Sequence, residues 1–226
     1  MPPRAGPAGK RATFHSCGSL YVRTTDSGSM RLDNGVLHLD KELSLLDKFV
    51  IDVTSILDDL GVGYVVVSGY VAILTGRSRA TEDIDTIIEP LSAEGARDLA
   101  SRLRDEGYWG ATAPLEDLHE MLADGLRVRV AEDGRMTPNF ELWFPKNEYD
   151  QRALEEPLVA RIDGHEVNVG PLEQQIAYKL FLGTEKDFED ALHLHTVFRE
   201  QLDTDTLETY VEELEVSDRY AELRGT

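Results

Sequence analysis

Residues 64–89, YVVVSGYVAILTGRSRATEDIDTIIE, set the frame for the rest of the chain. An apolar run at 64–67 leads into a small-residue turn at Ser68 and Gly69, then a short helix-like stretch. A second β-rich run at 84–88 follows, carrying the acidic pair Asp83 and Asp85. Strand side chains alternate with period two, so Asp83 and Asp85 project from one side while Ile84 and Thr86 point the other way. Two carboxylates so spaced at a strand end can hold a hard divalent cation, since Mg²⁺ takes one or two carboxylates and fills its shell with water and substrate phosphate. A turn between a strand and a helix start presents backbone N–H groups to a phosphate. One segment therefore offers both halves of a nucleotide–metal site. Singly, each half has a bland counterpart: a solvated strand end for Asp-x-Asp, and a plain turn for Ser-Gly. Their order and spacing give the reading its weight.

The succession of apolar strand, small-small turn, helix and Arg-x-Thr-x-Asp-Ile-Asp resembles the opening motif of the nucleotidyltransferase superfamily built on the DNA polymerase beta palm. Arg79, Thr81, Asp83, Ile84 and Asp85 carry that match. Further along, the β-rich run at 140–144 places Glu141 among Phe140, Leu142, Trp143 and Phe144. A carboxylate there is costly unless it is paired or binds a cation, or unless the strand is an edge that turns it to solvent. The C-terminal segments PLEQQIAYK (171–179) and EKDFEDALHL (185–194) extend the likeness, which then looks like the AbiEii-type branch, including toxins of abortive-infection and toxin–antitoxin systems. The resemblance spans roughly residues 42–200.

That resemblance implies an α+β fold: a small mixed β-sheet of nucleotidyltransferase type with flanking helices and a C-terminal helical annex. It implies Asp83, Asp85 and Glu141 as ligands of Mg²⁺ or Mn²⁺. Ser68, Gly69, Arg79, Thr81, Lys179 and Asp187 would contact the nucleotide, Lys179 at the triphosphate. The implied activity transfers a nucleoside monophosphate from an NTP to a hydroxyl on RNA, such as tRNA, or on protein, with a cognate toxin or antitoxin as a further partner. Two positions depart from the pattern. Ser68 stands where the family has Gly, placing a side chain where backbone and phosphate approach closely, and Glu141 stands where Asp is common. Both leave room for a non-catalytic module that binds nucleotide or a partner, and carboxylate clusters also serve metal-dependent phosphodiesterases.

Composition bounds these readings. The chain has 226 residues, enough for one domain with an annex. Its 43 acidic residues outnumber 23 basic ones, giving a formal net charge of −20 that is spread along the chain. This distribution argues against non-specific binding to a nucleic-acid backbone, which needs clustered Lys and Arg, although Arg77 and Arg79 could form a local basic patch. It fits a halophilic protein, because concentrated salt screens such repulsion. Cys17 is the single cysteine, so an intramolecular disulfide and a thiolate metal cage are excluded. No apolar run approaches the roughly 18 residues of a membrane span, and the N-terminus lacks the apolar centre of a secretory signal. A cytoplasmic protein is expected, with no membrane partner.

Residues 1–29, with Pro2, Pro3 and Pro7, read as a disordered leader, either preceding a true start at Met30 or foreign to the native chain. The alternative is a basic arm through Arg4, Lys10 and Arg11. Residues 30–170 are expected to form the nucleotidyltransferase domain and 171–226 the annex. Helices are expected at 42–60, 92–106, 114–123 and 148–154 from apolar periodicity and caps, and a hairpin of 158–162 and 166–169 across Asp163 and Gly164. Three more helices follow, beginning at Pro171, around Asp187, and at 202–214. His193 and His195 lie two apart on one helix, on different faces, and read as packing or surface residues. Asp187 and Asp190, three apart, share a face near Lys179, as site residues or as a structural ion-pair knot.

Overall fold

A computed structural model describes residues 29–33 and 35–226. The expected leader lies outside the described residues, apart from Ser29, which opens the first strand. Strands β1 (Ser29–Asp33) and β2 (Val36–Asp40) pair antiparallel and alternate well enough to bury Met30, Leu37 and Leu39.

Helix α1 (Leu45–Asp59) begins with a capping box: the Asp47 N–H donates to the Ser44 hydroxyl, and the Ser44 N–H donates back to the Asp47 carboxylate. Lys41 Nζ (3.0 Å) and the Tyr70 hydroxyl (2.9 Å) also donate to Asp47, so this fully buried carboxylate is well satisfied. Burial works to raise its pKa, but the bonds from Ser44 and Lys41 outweigh burial and hold it below the ordinary carboxylate value. The apolar face of α1 sets Phe49 edge-on against Phe140, with ring centroids 5.3 Å apart.

Gly61, with φ of 66°, turns the chain into β3 (Tyr64–Val66). Next come α2 (Gly69–Leu74), β4 (Asp83–Ile88) and α3 (Ala93–Asp105), the last capped by Ser92 as its sequence foretells. β5 (Tyr108–Gly110) follows, then a 3-10 turn at Leu115–Asp117 that runs into α4 (Leu118–Ala123); the single helix expected at 114–123 is split in two. β6 (Val128–Glu132), β7 (Asn139–Trp143), α5 (Glu148–Glu155) and the hairpin β8 (Leu158–Ile162) and β9 (His165–Val169) complete the sheet region. Four helices close the chain: α6 (Leu172–Leu182), α7 (Glu185–Phe198), α8 (Thr204–Glu213) and α9 (Ser217–Gly225). None of the described helices is long and apolar enough to cross a membrane.

The strands form one mixed sheet in the order β1-β2-β8-β9-β3-β4-β7-β6-β5. The expectation of a small sheet is therefore corrected: among the described residues the sheet has nine strands. It is enlarged because β2 adds in parallel onto β8, from Val36 opposite Val159, and β5 adds onto β6. Between β3 and β9 the ladder narrows to the pair Val66 and Val169, followed by a bond from the Gly170 N–H to the Val66 carbonyl at 2.8 Å.

The two faces of the sheet differ. One buries Ile84, Ile88, Phe140 and Leu142 in the main core with α1 and α3. Ile176, Leu180, Leu194 and Phe198 of the C-terminal helices belong to that same contiguous core. On the opposite face, Val65, Ile87 and Trp143 form a small separate cluster with Ala153 of α5. This thinly covered face carries the acidic residues.

Candidate functional site

β4 and β7 run parallel, in a register that sets Asp83 opposite Asn139, Asp85 opposite Glu141, and Ile87 opposite Trp143. Cross-strand partners share a face, so these six residues make two matching rows that pass from polar to apolar. The spacing expected for Asp83 and Asp85 is realised, and Glu141 lies directly across from Asp85. β7 is a central strand between β4 and β6, and Glu141 is 6% exposed, so it is no solvent-facing edge residue.

Two arginines from β6 and its approach hold Glu141. Arg127 Nη1 donates to Glu141 Oε2 at 2.6 Å and also to Asp85 Oδ1 at 2.9 Å, bridging the two carboxylates. Arg129 donates to Glu141 Oε1 through Nε at 2.7 Å and through Nη2. Burial works to raise the Glu141 pKa, yet these bonds win and hold it below the ordinary value. Asp85 shifts the other way. Its burial dominates, Glu141 adds repulsion, and the attraction of Arg127 does not offset them, so its pKa is raised. Asp83 accepts the Asn139 side-chain amide at 2.8 Å, and Thr81 donates to the Asp83 carbonyl at 2.9 Å, steadying the strand entry.

Ser68 precedes α2 with φ of 64° and ψ of −125°, a conformation that favours glycine. Its N–H donates to the Gln175 side chain of α6 at 2.6 Å, so this amide is already engaged by protein. Gly170 permits that contact: a Cβ there would lie 2.3 Å from Gln175 Nε2. At Gly69 a Cβ would fall 2.7 Å from Arg79 Nη2, so a side chain there would make the guanidinium shift.

Arg79, Lys179 and Asp187 gather in a neighbouring group around Asp190, which is fully buried. Asp190 pairs with Arg77 Nε at 2.7 Å, Lys179 Nζ at 3.2 Å and Arg79 Nη1. Lys179 also donates to Asp187 at 2.7 Å, and Arg77 pairs with Glu189 at 2.5 Å. Burial opposes ionisation of Asp187, but Lys179 and Thr184 hold its pKa low. The basic patch expected at Arg77 and Arg79 is therefore turned inward onto α7. The two groups are near neighbours, since Lys179 still favours ionised Asp85. His193 packs as expected, its Nε2 lying 3.1 Å from the Thr75 carbonyl, and burial lowers its pKa.

Among the described residues no group of three or more His, Cys, Asp or Glu side chains is placed to hold a metal ion. Glu141 has both oxygens on arginine. The chemistry of Asp83 and Asp85 still suits a hard cation: they are oxygen donors on one face, and Asp85 is a desolvated acid repelled by its neighbour, a state that a cation relieves. The donor set therefore fits a cation held by these two residues, with Glu141 anchoring the arginines.

Beside Asp85 and Ser68 opens a cavity of about 280 Å³. Arg127, Trp143, Tyr149, Gln174 and Tyr178 are among its walls. Sequence reasoning missed this cavity and both arginines. A signal existed for the latter: Arg127 and Arg129 alternate with Val128 and Val130, the pattern of a strand with one charged face.

No family model matches the chain, and no curated protein matches it. Among solved structures it is similar to an antigenic nucleotidyltransferase-like protein from Paracoccidioides brasiliensis, at 17% identity and TM-score 0.49 over 78% of this chain and 91% of that one. It is also similar to the antibiotic-resistance factor ANT(2'')-Ia, at 14% identity and TM-score 0.44 over 81% of this chain and 97% of that one. A functional reading rests on the geometry above.

Proposed function

We propose that this chain is a nucleotidyltransferase that moves a nucleoside monophosphate from an NTP to a hydroxyl of RNA, such as tRNA, or of protein, with Mg²⁺ or Mn²⁺ at Asp83 and Asp85. The observation that carries this reading is the strand register that sets Asp85 across from Glu141, with Asp83 on the same face and a cavity alongside. The motif resemblance at Arg79, Thr81, Asp83 and Asp85 supports it independently. A bound cation would supply Lewis-acid charge at the phosphates and the acceptor hydroxyl.

The chain's own residues supply the rest. Arg127 and Arg129, with side chains 45% and 43% exposed, present fixed positive charge at the mouth of the site, where phosphate oxygens accumulate charge. Glu141 fixes their orientation. Lys179 adds a longer-range positive field from its buried position. In the transfer, the acceptor hydroxyl gives up its proton to solvent as its oxygen bonds to the α-phosphorus, the bond to the bridging oxygen breaks, and pyrophosphate departs. An AbiEii-type toxin role, a cognate partner, a halophilic source and a cytoplasmic location belong to the same proposal.

Two observations favour a second reading, a nucleotide- or partner-binding module without turnover: the Arg127 guanidinium already bridges Asp85 and Glu141, and the Ser68 amide is already bonded to Gln175. The test is to incubate the chain in high KCl with Mg²⁺, each α-labelled NTP, and total RNA and protein. Label that enters RNA or protein, and is lost with Asp83→Ala, is the result expected of the transferase. Absence of transfer with NTP binding intact would replace it with the binding module.

A further inference from the structure

Gln174 of α6 is fully buried yet lines the cavity beside Asp85. Its Nε2 donates to the Tyr149 carbonyl at 2.6 Å, which fixes the amide orientation, because only the NH₂ end can face a carbonyl. Its Oε1 is thereby committed as an acceptor, and it has no hydrogen-bond partner among the described residues. A buried acceptor left alone carries an uncompensated desolvation penalty, so a ligand that brings an N–H donor to it relieves that penalty.

The walls around Gln174 restrict what that ligand can be. The Arg127 guanidinium lies 4.2 Å from the centroid of the Trp143 ring, and the Tyr178 ring stands 5.6 Å from Tyr149. Guanidinium planes and aromatic rings are flat surfaces that stack on other rings. Ile87 and Ala153 add apolar surface to the walls, and Asp85, Ser68 and Asn147 add polar surface. The occupant that suits these walls has a flat ring with an N–H on its edge and a polar portion.

We infer that this cavity is a nucleobase-binding subsite in which Gln174 Oε1 accepts an N–H from the edge of the base while Arg127 and Tyr178 cover its faces. The inference rests on the nucleotidyltransferase reading for its place in a reaction, but base recognition itself needs neither metal nor turnover. Gln174 is then a specificity-determining residue, favouring bases by a donor and not by shape alone.

The test uses nucleosides, which lack phosphates, with the full chain in high KCl and chelator. Trp143 and Trp109 are the two tryptophans of the chain, and Trp109 lies on β5 at the far edge of the sheet, so Trp109→Phe makes Trp143 the reporter. Fluorescence titration would compare adenosine with purine riboside, and uridine with N3-methyluridine, each pair differing in one donor group. The donor-bearing member of at least one pair is expected to bind about tenfold more tightly, a ratio equivalent to ~1.4 kcal/mol, and Gln174→Met is expected to erase that preference. Tyr178→Ala, at a partly buried position, is expected to weaken all four ligands while keeping the preference.

Equal binding within both pairs, a preference that survives Gln174→Met, or no nucleoside binding by the folded chain would each overturn the subsite. If NTP transfer persists in that case, the transferase reading stands without it. Donor-dependent nucleoside binding without any transfer would uphold the subsite and remove the transferase reading.

Discussion

Two charged groups sit side by side in this protein, built from the same materials, and differ in their access to the outside. Around Asp190, three cations from two parts of the chain converge on one carboxylate; the Asp190 and Lys179 side chains are 0% and 4% exposed. Around Glu141, two arginines converge on one carboxylate, one of them, Arg127, lining the cavity, and their side chains remain nearly half exposed. The first group ties the segment after α2 to α6 and α7, and its three cations are between 4% and 20% exposed. The second is paired just as tightly, but its cations can exchange partners with an incoming anion. Ion pairing alone does not distinguish a brace from a site; exposure does.

The comparison can be broken most forcefully at Asp190. Asp190→Ala leaves Arg77, Arg79 and Lys179 without their common partner and is expected to cost about 3–5 kcal/mol of stability, read by denaturant unfolding. A near-neutral result would dissolve the idea of a brace. At the open group the expectation reverses. Asp85→Asn should lower transfer by more than the roughly 100-fold typical of losing an outer partner of a metal site. It should leave stability unchanged or raise it, because the native state already disfavours the ionised form of Asp85. A large loss of thermal stability would show that Asp85 is structural.

Between the two groups lies Ser68, whose left-handed backbone costs on the order of 1–3 kcal/mol. Ser68→Gly is expected to stabilise the chain by roughly 1 kcal/mol while leaving the Gln175 bond in place, since that bond uses the backbone N–H. A destabilised variant would mean that the hydroxyl matters more than the backbone.

The finest distinction is in pH. Glu141 and Asp187 have lowered folded pKa values, so the stability they contribute is present above the unfolded carboxylate value and is lost as pH falls through the folded ones. Asp85 has a raised folded value, so its destabilising ionisation is relieved as pH falls through that value towards the unfolded one, 3.8. Transfer should therefore fail at a higher pH than folding does, leaving an acid window in which circular dichroism reports a native protein that no longer transfers. Coincident loss of both would refute the opposite signs.

How much of this was legible in the sequence follows from the range of each signal. The acidic face of β4 could be read because alternation is local, and the burial of Glu141 because its neighbours on both sides are apolar. The helix start at Ser92 is likewise local, whereas the first helix, expected from residue 42, begins only after its cap at Ser44. β1, β2 and β5 escaped because three to five residues with mixed polarity give too few alternations to count. α9 escaped because Tyr220 and Leu223 are its only buried side chains. The Arg129 to Glu141 contact needs the register of β6 on β7, and the cavity needs β7, α5 and α6 brought together; neither register nor helix docking is a property of a single segment.

The narrowing of the sheet at Val66 and Val169 has a kinetic meaning. On either side of it, strands are bonded over several residues to neighbours on the same side, whereas the join rests on one ladder pair and a few bonds beside it, such as that from the Asn168 N–H to the Tyr64 hydroxyl. A seam held by so few bonds opens more readily than the ladders that flank it, and the Gly170 amide, which bonds across the join to Val66, is the proton whose exchange with solvent reports that opening.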